Sequence, residues 1–207
     1  MATKWGDRDG RRRDILTAGR RLLAEHGYTA LQMRDVAKGA GISLGTVYTY
    51  FPTKEALYAA LYAQRLAEFA AVIEPVCGSC EDPEDLFVAV ATEYLDMYRV
   101  YGRELNIWTV LAGDARVDPD VGGVLMAAAA RVIGSIQQTL ERFRGPGNDI
   151  DAGLAMALLW STVTGLADQF TSVRQTMHDY TWDDLVRFAA RTLVIGLAAA
   201  REETEGR

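Results

Sequence analysis

Histidine, cysteine and proline are scarce in this 207-residue chain, which has two, two and five of them. Cys77 and Cys80 form one CxxC with no second pair, and His26 and His178 lie far apart. The four ligands of a closed zinc site are therefore missing, and neither a metal nor a cofactor is expected. The two cysteines are expected as reduced thiols, with a redox switch as the other reading. No apolar run reaches the ~18 residues of a membrane span, and the most apolar segment, 193–200, is far shorter. The opening MATKWGDRDGRRRD has no apolar stretch after its positive charges, so no secretory signal, no membrane partner and a cytoplasmic location are expected. A nucleophile–base pair, a phosphate-binding glycine loop and a metal cluster are all lacking, so no catalytic residue is assigned and an enzyme is not expected.

What is present is an ordinary globular composition, 49% hydrophobic and 24% charged. A chain of this length can bury about 70% of its unfolded surface. Charge is unevenly spread. Residues 1–60 hold ten lysines and arginines against six acids, a net +4, which leaves −10 for residues 61–207. A basic head on an acidic body directs a polyanion to one end, although charge runs are also common on solvated faces.

Helical periodicity runs nearly throughout, and no convincing alternating strand is found, so the expected fold is all-α with about nine helices. In 11–26, Ile15, Leu16, Ala18, Leu22 and Leu23 share a stripe that Gly27 ends. A short helix at 31–38 turns Met33, Val36 and Ala37 inward. Ala40-Gly41-Ile42 makes a tight corner, and Ser43 caps a third helix over 44–51. Pro52 stops that helix and Thr53 caps the next, over 54–73, which Pro75 and Gly78 are expected to break. Further helices are expected at 83–101, 104–112, 119–143, 149–177 and 182–203. The domains are then a head, 1–53, and a helical body, 54–207.

Two short helices joined by a glycine corner, the second capped by serine, form a helix-turn-helix pattern. Spacing turns Val47, Phe51 and Tyr50 inward with Ile42, and turns Leu44 with Tyr48, and Gly45 with Thr49, outward. The outward face suits a duplex groove: Gly45 permits close approach, and Thr46 and Thr49 offer hydroxyl and methyl groups to base edges. The Tyr48 hydroxyl can reach a phosphate. Lys54 at a helix start is mildly unfavourable by ~0.3–1 kcal/mol, and a bound phosphate reverses that sign.

Read as a string, the chain resembles the TetR family of tetracycline-repressor-like regulators. The resemblance rests on Ile15-Leu16, Ala18, Leu22-Leu23, His26-Gly27-Tyr28, Met33-Arg34-Asp35-Val36-Ala37, Ala40-Gly41-Ile42-Ser43 and the run from Gly45 to Leu57. It spans about residues 11–60 and is only architectural beyond. It implies a homodimer with two helix-turn-helix heads on a double-stranded DNA operator, and bodies that bind a small effector. It implies a DNA-binding set of Arg34, Ser43, Leu44, Gly45, Thr46, Tyr48, Thr49, Tyr50 and Lys54, with Lys54 and Tyr50 on phosphates. Two positions depart from it. Leu44 stands where Lys or Arg is common, and Leu31 where a capping Thr is common, which leaves Thr29 to cap or the second helix to start less firmly. Arg11, Arg12 and Arg13 either add phosphate contacts or form a solvated terminus.

In the body, 149–177 and 182–203 are apolar or small on nearly all sides, so both faces must be covered. A homodimer through these last two helices is expected. Tyr94, Tyr98, Trp108, Met126 and Trp160, with Thr164 and Asp168 as polar fixtures, are candidate pocket residues for a small, largely apolar effector. They are also read as plain core, with Asp168 paired to an arginine. The expected function is a ligand-responsive regulator, with a DNA-binding protein lacking a small effector as the alternative.

Overall fold

The computed structural model describes residues 4–102, 107, 119–143 and 152–205. Its described residues form eight α-helices and no strand: α1 (Lys4–Ala30), α2 (Met33–Gly39), α3 (Leu44–Tyr50), α4 (Lys54–Ser79), α5 (Pro83–Tyr101), α6 (Pro119–Phe143), α7 (Ala152–Thr171) and α8 (Trp182–Glu205). A 3₁₀ turn, Val173–Met177, separates α7 from α8. The helix expected at 104–112 lies almost wholly outside the described residues.

Packing divides the chain into two units, residues 1–67 with 100–128, and residues 68–99 with 129–207. In the first unit, Ile15, Leu16 and Leu23 of α1 are buried, as are Met33, Val36, Val47 and Phe51. Gly27 does interrupt α1, at φ 76 and ψ 176, a region that side-chain-bearing residues avoid. At Gly19 a Cβ would lie 3.2 Å from Leu61 Cδ1, so α1 passes close against α4 there. In the second unit, Phe69, Ile73, Leu86, Val90, Tyr94, Val132, Ile136, Val163, Phe170 and Val186 are buried.

Three expected boundaries are corrected. First, α4 runs through Pro75 and Gly78 to Ser79. Proline removes one backbone donor, but the carbonyls at this helix end find partners from another helix: Thr139 Oγ1 donates to Cys77 O at 3.1 Å, and Arg142 donates to the Cys77 and Gly78 carbonyls. Cys77 therefore sits inside α4 and is buried, rather than in a loop after it. Second, α7 ends at Thr171, not 177. Ser172 is extended (φ −110, ψ 176) and its Oγ accepts from Arg174 N, starting the 3₁₀ turn instead. Third, α1 begins at Lys4, seven residues before the expected 11.

By length and mean hydropathy (1.3), α6 is long and apolar enough to cross a membrane. It carries Arg131 at mid-length, which donates through Nε to Glu74 Oε1 at 2.7 Å. Its Val121, Leu125, Ala128, Val132 and Ile136 form a buried stripe at helical spacing, the pattern of a core helix.

Candidate nucleic-acid interface

The corner between α2 and α3 is built from backbone bonds. Ile42 N donates to Ala37 O at 3.0 Å and Gly41 N to Lys38 O at 3.2 Å, a Schellman closure of α2. Gly41 takes φ +68, which glycine adopts without steric cost. Ser43 then caps α3: its Oγ accepts from Thr46 N at 3.1 Å and lies 2.8 Å from Thr46 Oγ1. At the start of α2, Gln32 occupies the N-cap position without a side-chain cap bond. Leu31 before it and Val36 after it, both buried, occupy the two positions of a hydrophobic staple. An apolar residue at 31 thus has a use where a capping threonine is absent.

This frame decides which side of α3 is left over. Val47 is fully buried and Phe51 nearly so, while Gly45, Tyr48 and Thr49 are exposed. Ile42, Leu44, Thr46 and Tyr50 are half-buried. Leu44, placed outward by its spacing with Tyr48, is thus only partly so. Thr49 Oγ1 donates to Gly45 O at 3.0 Å, which fixes its rotamer along the exposed face. Arg34 on α2 is exposed.

Lys54 has a defined surrounding. Its Nζ lies 4.2 Å from the Tyr28 ring centroid and donates to Thr29 O at 3.2 Å. Tyr28 in turn donates to Glu55 Oε1 at 2.9 Å, and burial, reinforced by that carboxylate, pushes its phenol well above the ordinary tyrosine range. Thr53 Oγ1 accepts from Ala56 N at 3.0 Å, capping α4 as expected. Beyond the joint, the Tyr58 ring stands edge-on to Tyr28 at 5.0 Å and near Tyr62 and Tyr101 at 6.2 Å each. The Tyr58 hydroxyl donates to Tyr101 O.

Within the second unit, four of the candidate pocket residues come together. Tyr94 meets Trp160 edge-on at 5.0 Å, lies 5.8 Å from Tyr98, and is 3.5 Å from Thr164 Oγ1 through its hydroxyl. Burial raises the Tyr94 phenol above its ordinary value. Asp168 is held in an ion pair by Arg174, the second of its two expected roles. Met126 is 57% exposed and does not belong to this unit, and Trp108 lies outside the described residues. A small apolar cavity of about 40 Å³ is lined by Pro83, Leu86, Phe87, Ile136, Met156 and Trp160 among others. Of these only Trp160 is among the expected residues. The α5 stripe of Leu86, Phe87, Val90 and Tyr94, at helical spacing, is the sequence signal that points to the rest. Among the described residues no group of three His, Cys, Asp or Glu could hold a metal. Burial raises the Cys77 thiol, which disfavours its thiolate.

Comparisons with known proteins agree with the head. The family of bacterial regulatory proteins, tetR family, matches residues 15–61. The repressor AcnR of Corynebacterium efficiens is 36% identical over 91 residues, 41% of this chain and 48% of AcnR. The chain thus spans about half the length of that relative. Among solved structures, FadR of Bacillus subtilis in complex with stearoyl-CoA superposes with a TM-score of 0.61 at 19% identity, covering 88% of this chain and 97% of FadR. RolR in complex with resorcinol gives 0.60 at 23% identity, covering 96% and 95%. At these identities the structures establish a shared fold.

Proposed function

Because the chain belongs to the TetR family of transcriptional regulators, we propose that it is a repressor that binds a palindromic operator as a homodimer and is released by a small effector. The observation that carries the DNA reading is the exposed face of α3, with Gly45, Tyr48 and Thr49 in solvent while Val47 and Phe51 anchor the helix. Residues 1–53 act as the reading head and 54–207 as the effector and dimerisation body. Thr46, Tyr48 and Thr49 face base edges and the adjoining backbone, with Gly45 at close approach and Ser43 and Leu44 at the helix start. Arg34, Tyr50 and Lys54 take phosphates. The protein works in the cytoplasm, without enzymatic activity.

The dimer reading rests on the apolar side chains that α7 and α8 leave in solvent: Leu154 and Leu158 on one, Phe188 and Ile195 on the other. Leu154, Leu158, Ser161 and Gly165 recur at intervals of four, three and four, a seam that a second copy covers in a two-fold interface.

The effector reading rests on the Tyr94, Trp160 and Thr164 cluster beside the apolar cavity, and on FadR and RolR having been solved with small ligands. α4 supplies the coupling. Its 26 residues span about 39 Å, so a tilt of ~10° moves one end relative to the other by roughly 7 Å. Two heads must meet major grooves about 34–36 Å apart, and such a shift prevents both from docking. Effector and DNA are then negatively linked. A second reading is a regulator with no small effector, in which the Tyr94 and Trp160 cluster is plain core and the cavity of about 40 Å³ is a packing void, well below the ~300–1,000 Å³ of usual ligand pockets. Native mass spectrometry of the purified dimer separates the two. A bound small molecule whose addition weakens operator binding supports release by effector; a ligand-free dimer whose operator affinity is indifferent to metabolite extracts supports the second.

A further inference from the structure

α3, Leu44–Tyr50, carries no charged and no amide side chain. The paired hydrogen bonds by which arginine reads guanine, and asparagine or glutamine reads adenine, therefore cannot come from this helix. Two of its hydroxyls are turned back on the helix itself. Thr49 Oγ1 donates to Gly45 O at 3.0 Å, and Thr46 Oγ1 lies 2.8 Å from the Ser43 Oγ that caps the helix. With the Tyr48 hydroxyl directed to phosphate, what α3 brings to a base edge is largely shape and apolar contact.

Gly45 gives that contact its shape. It is exposed, its φ is not positive, and the nearest atom a Cβ would meet beyond its own turn of helix is Ser43 Oγ, at an ordinary 3.9 Å. Gly19 and Gly41 differ: a Cβ at Gly19 would crowd Leu61 at 3.2 Å, and Gly41 holds φ +68. The fold thus has uses for those two glycines and none for Gly45, although glycine is a poor helix former. The missing side chain leaves a notch on the exposed face. Leu44 precedes it, and Tyr48 and Thr49, three and four residues on, share its side of the helix.

We infer that this notch is a thymine-specific contact: it receives the C5-methyl group of one thymine in each half-site, with Gly45 making room and Leu44 and Thr49 flanking the methyl. Thymine is the base whose major-groove edge carries a methyl group, so an apolar notch selects it over cytosine, adenine and guanine. The inference rests on the DNA-binding reading above and names the chemical group that the outward face of α3 recognises.

The test uses the full-length protein and an operator obtained by selection from a random duplex pool. Each thymine is replaced in turn, in both half-sites, by deoxyuridine, which lacks only the methyl group, and binding is followed by fluorescence anisotropy. At one thymine position the parent loses about fourfold in affinity per half-site, the worth of one buried methyl carbon. Gly45→Ala puts a methyl group on the protein where the DNA methyl sits. It keeps the parent's circular dichroism melting curve or shifts it upward, and it weakens binding to the thymine operator. It binds the deoxyuridine operator at least as well as the thymine one. Leu44→Ala, which shortens one flank of the notch, narrows the parent's preference for thymine over deoxyuridine at that position. A parent indifferent to deoxyuridine at every position, or one that selects half-sites without thymine, overturns the inference and leaves the DNA reading intact. A Gly45→Ala variant that keeps the parent's preference for the methyl group also overturns it. If that variant binds neither duplex, Leu44→Ala decides, and an unchanged preference overturns the inference. A parent that binds no duplex overturns the DNA reading and this contact with it.

Discussion

On α3 the residues left in solvent are Gly45, Tyr48 and Thr49, whereas α7 and α8 leave Leu154, Leu158, Phe188 and Ile195 there. The first set carries hydroxyls and almost no aliphatic bulk; the second is nearly all aliphatic or aromatic. A hydroxyl-bearing helix face loses little by staying hydrated and gains by meeting phosphates and base edges. A face of large apolar side chains gains by leaving water, at roughly 25 cal/mol for each Å² covered. The proposed function gives the two surfaces different partners, a duplex and another protein surface. The chemistry of what a fold leaves uncovered is as informative here as what it buries.

The sharpest way to break this contrast is to make the apolar face polar. Phe188→Asp, 70% exposed in the single chain, should raise the dimer dissociation constant by roughly 30-fold or more, the equivalent of about 2 kcal/mol at an interface anchor. Sedimentation velocity across concentrations checks this, and an unchanged dimer places the interface elsewhere. Next in size is Gly41→Ala at the corner that orients α3. Its φ of +68 should make the change cost about 1–2 kcal/mol in thermal or urea unfolding, with no steric clash because nothing lies within 4 Å of the added Cβ. Smaller still is Lys54→Ala, which should weaken binding to all duplexes alike and lower the salt slope by about one per head. An unchanged slope confines Lys54 to its contacts within the protein. The smallest effect concerns acid stability. Arg131 holds the Glu74 carboxyl below its ordinary range, so this pair stabilises the fold above the unfolded glutamate value of about 4.3 and loses that contribution as pH falls through the lower folded value. Glu74→Gln should therefore flatten the acid limb of the melting curve below about pH 4.3, while the parent keeps a steeper one.

Local signals carried most of the head into the sequence reading. Ser43, Gly41, Pro52 and Thr53 act within a few residues of themselves, and each has the local role its chemistry predicted. The described residues 119–143, expected as a helix from their apolar stripe, are helical throughout as α6. What was not legible depended on partners far along the chain. Pro75 reads as a breaker, yet Thr139 and Arg142, more than 60 residues away, supply partners for the carbonyls of that helix end. Asp168 reads either as a polar fixture beside Trp160 or as an arginine's partner, and the choice depended on Arg174 reaching it across the end of α7. Met126 shares the composition of a pocket residue and lies on the exposed side of α6, which composition alone does not encode. The continuation of α1 back to Lys4 was hidden because its face carries arginines in place of apolar residues, and periodicity searches follow apolar residues.

The central claim is that the outward face of α3 reads base edges, and Thr49 is its most direct probe. Operator selection from a random duplex pool should be run in parallel with the parent and with Thr49→Ala. The account predicts two symmetric half-sites about 34–36 Å apart, with base preference altered at one position in each by the variant. Uniform weakening with the parent's preference intact at every position would contradict it.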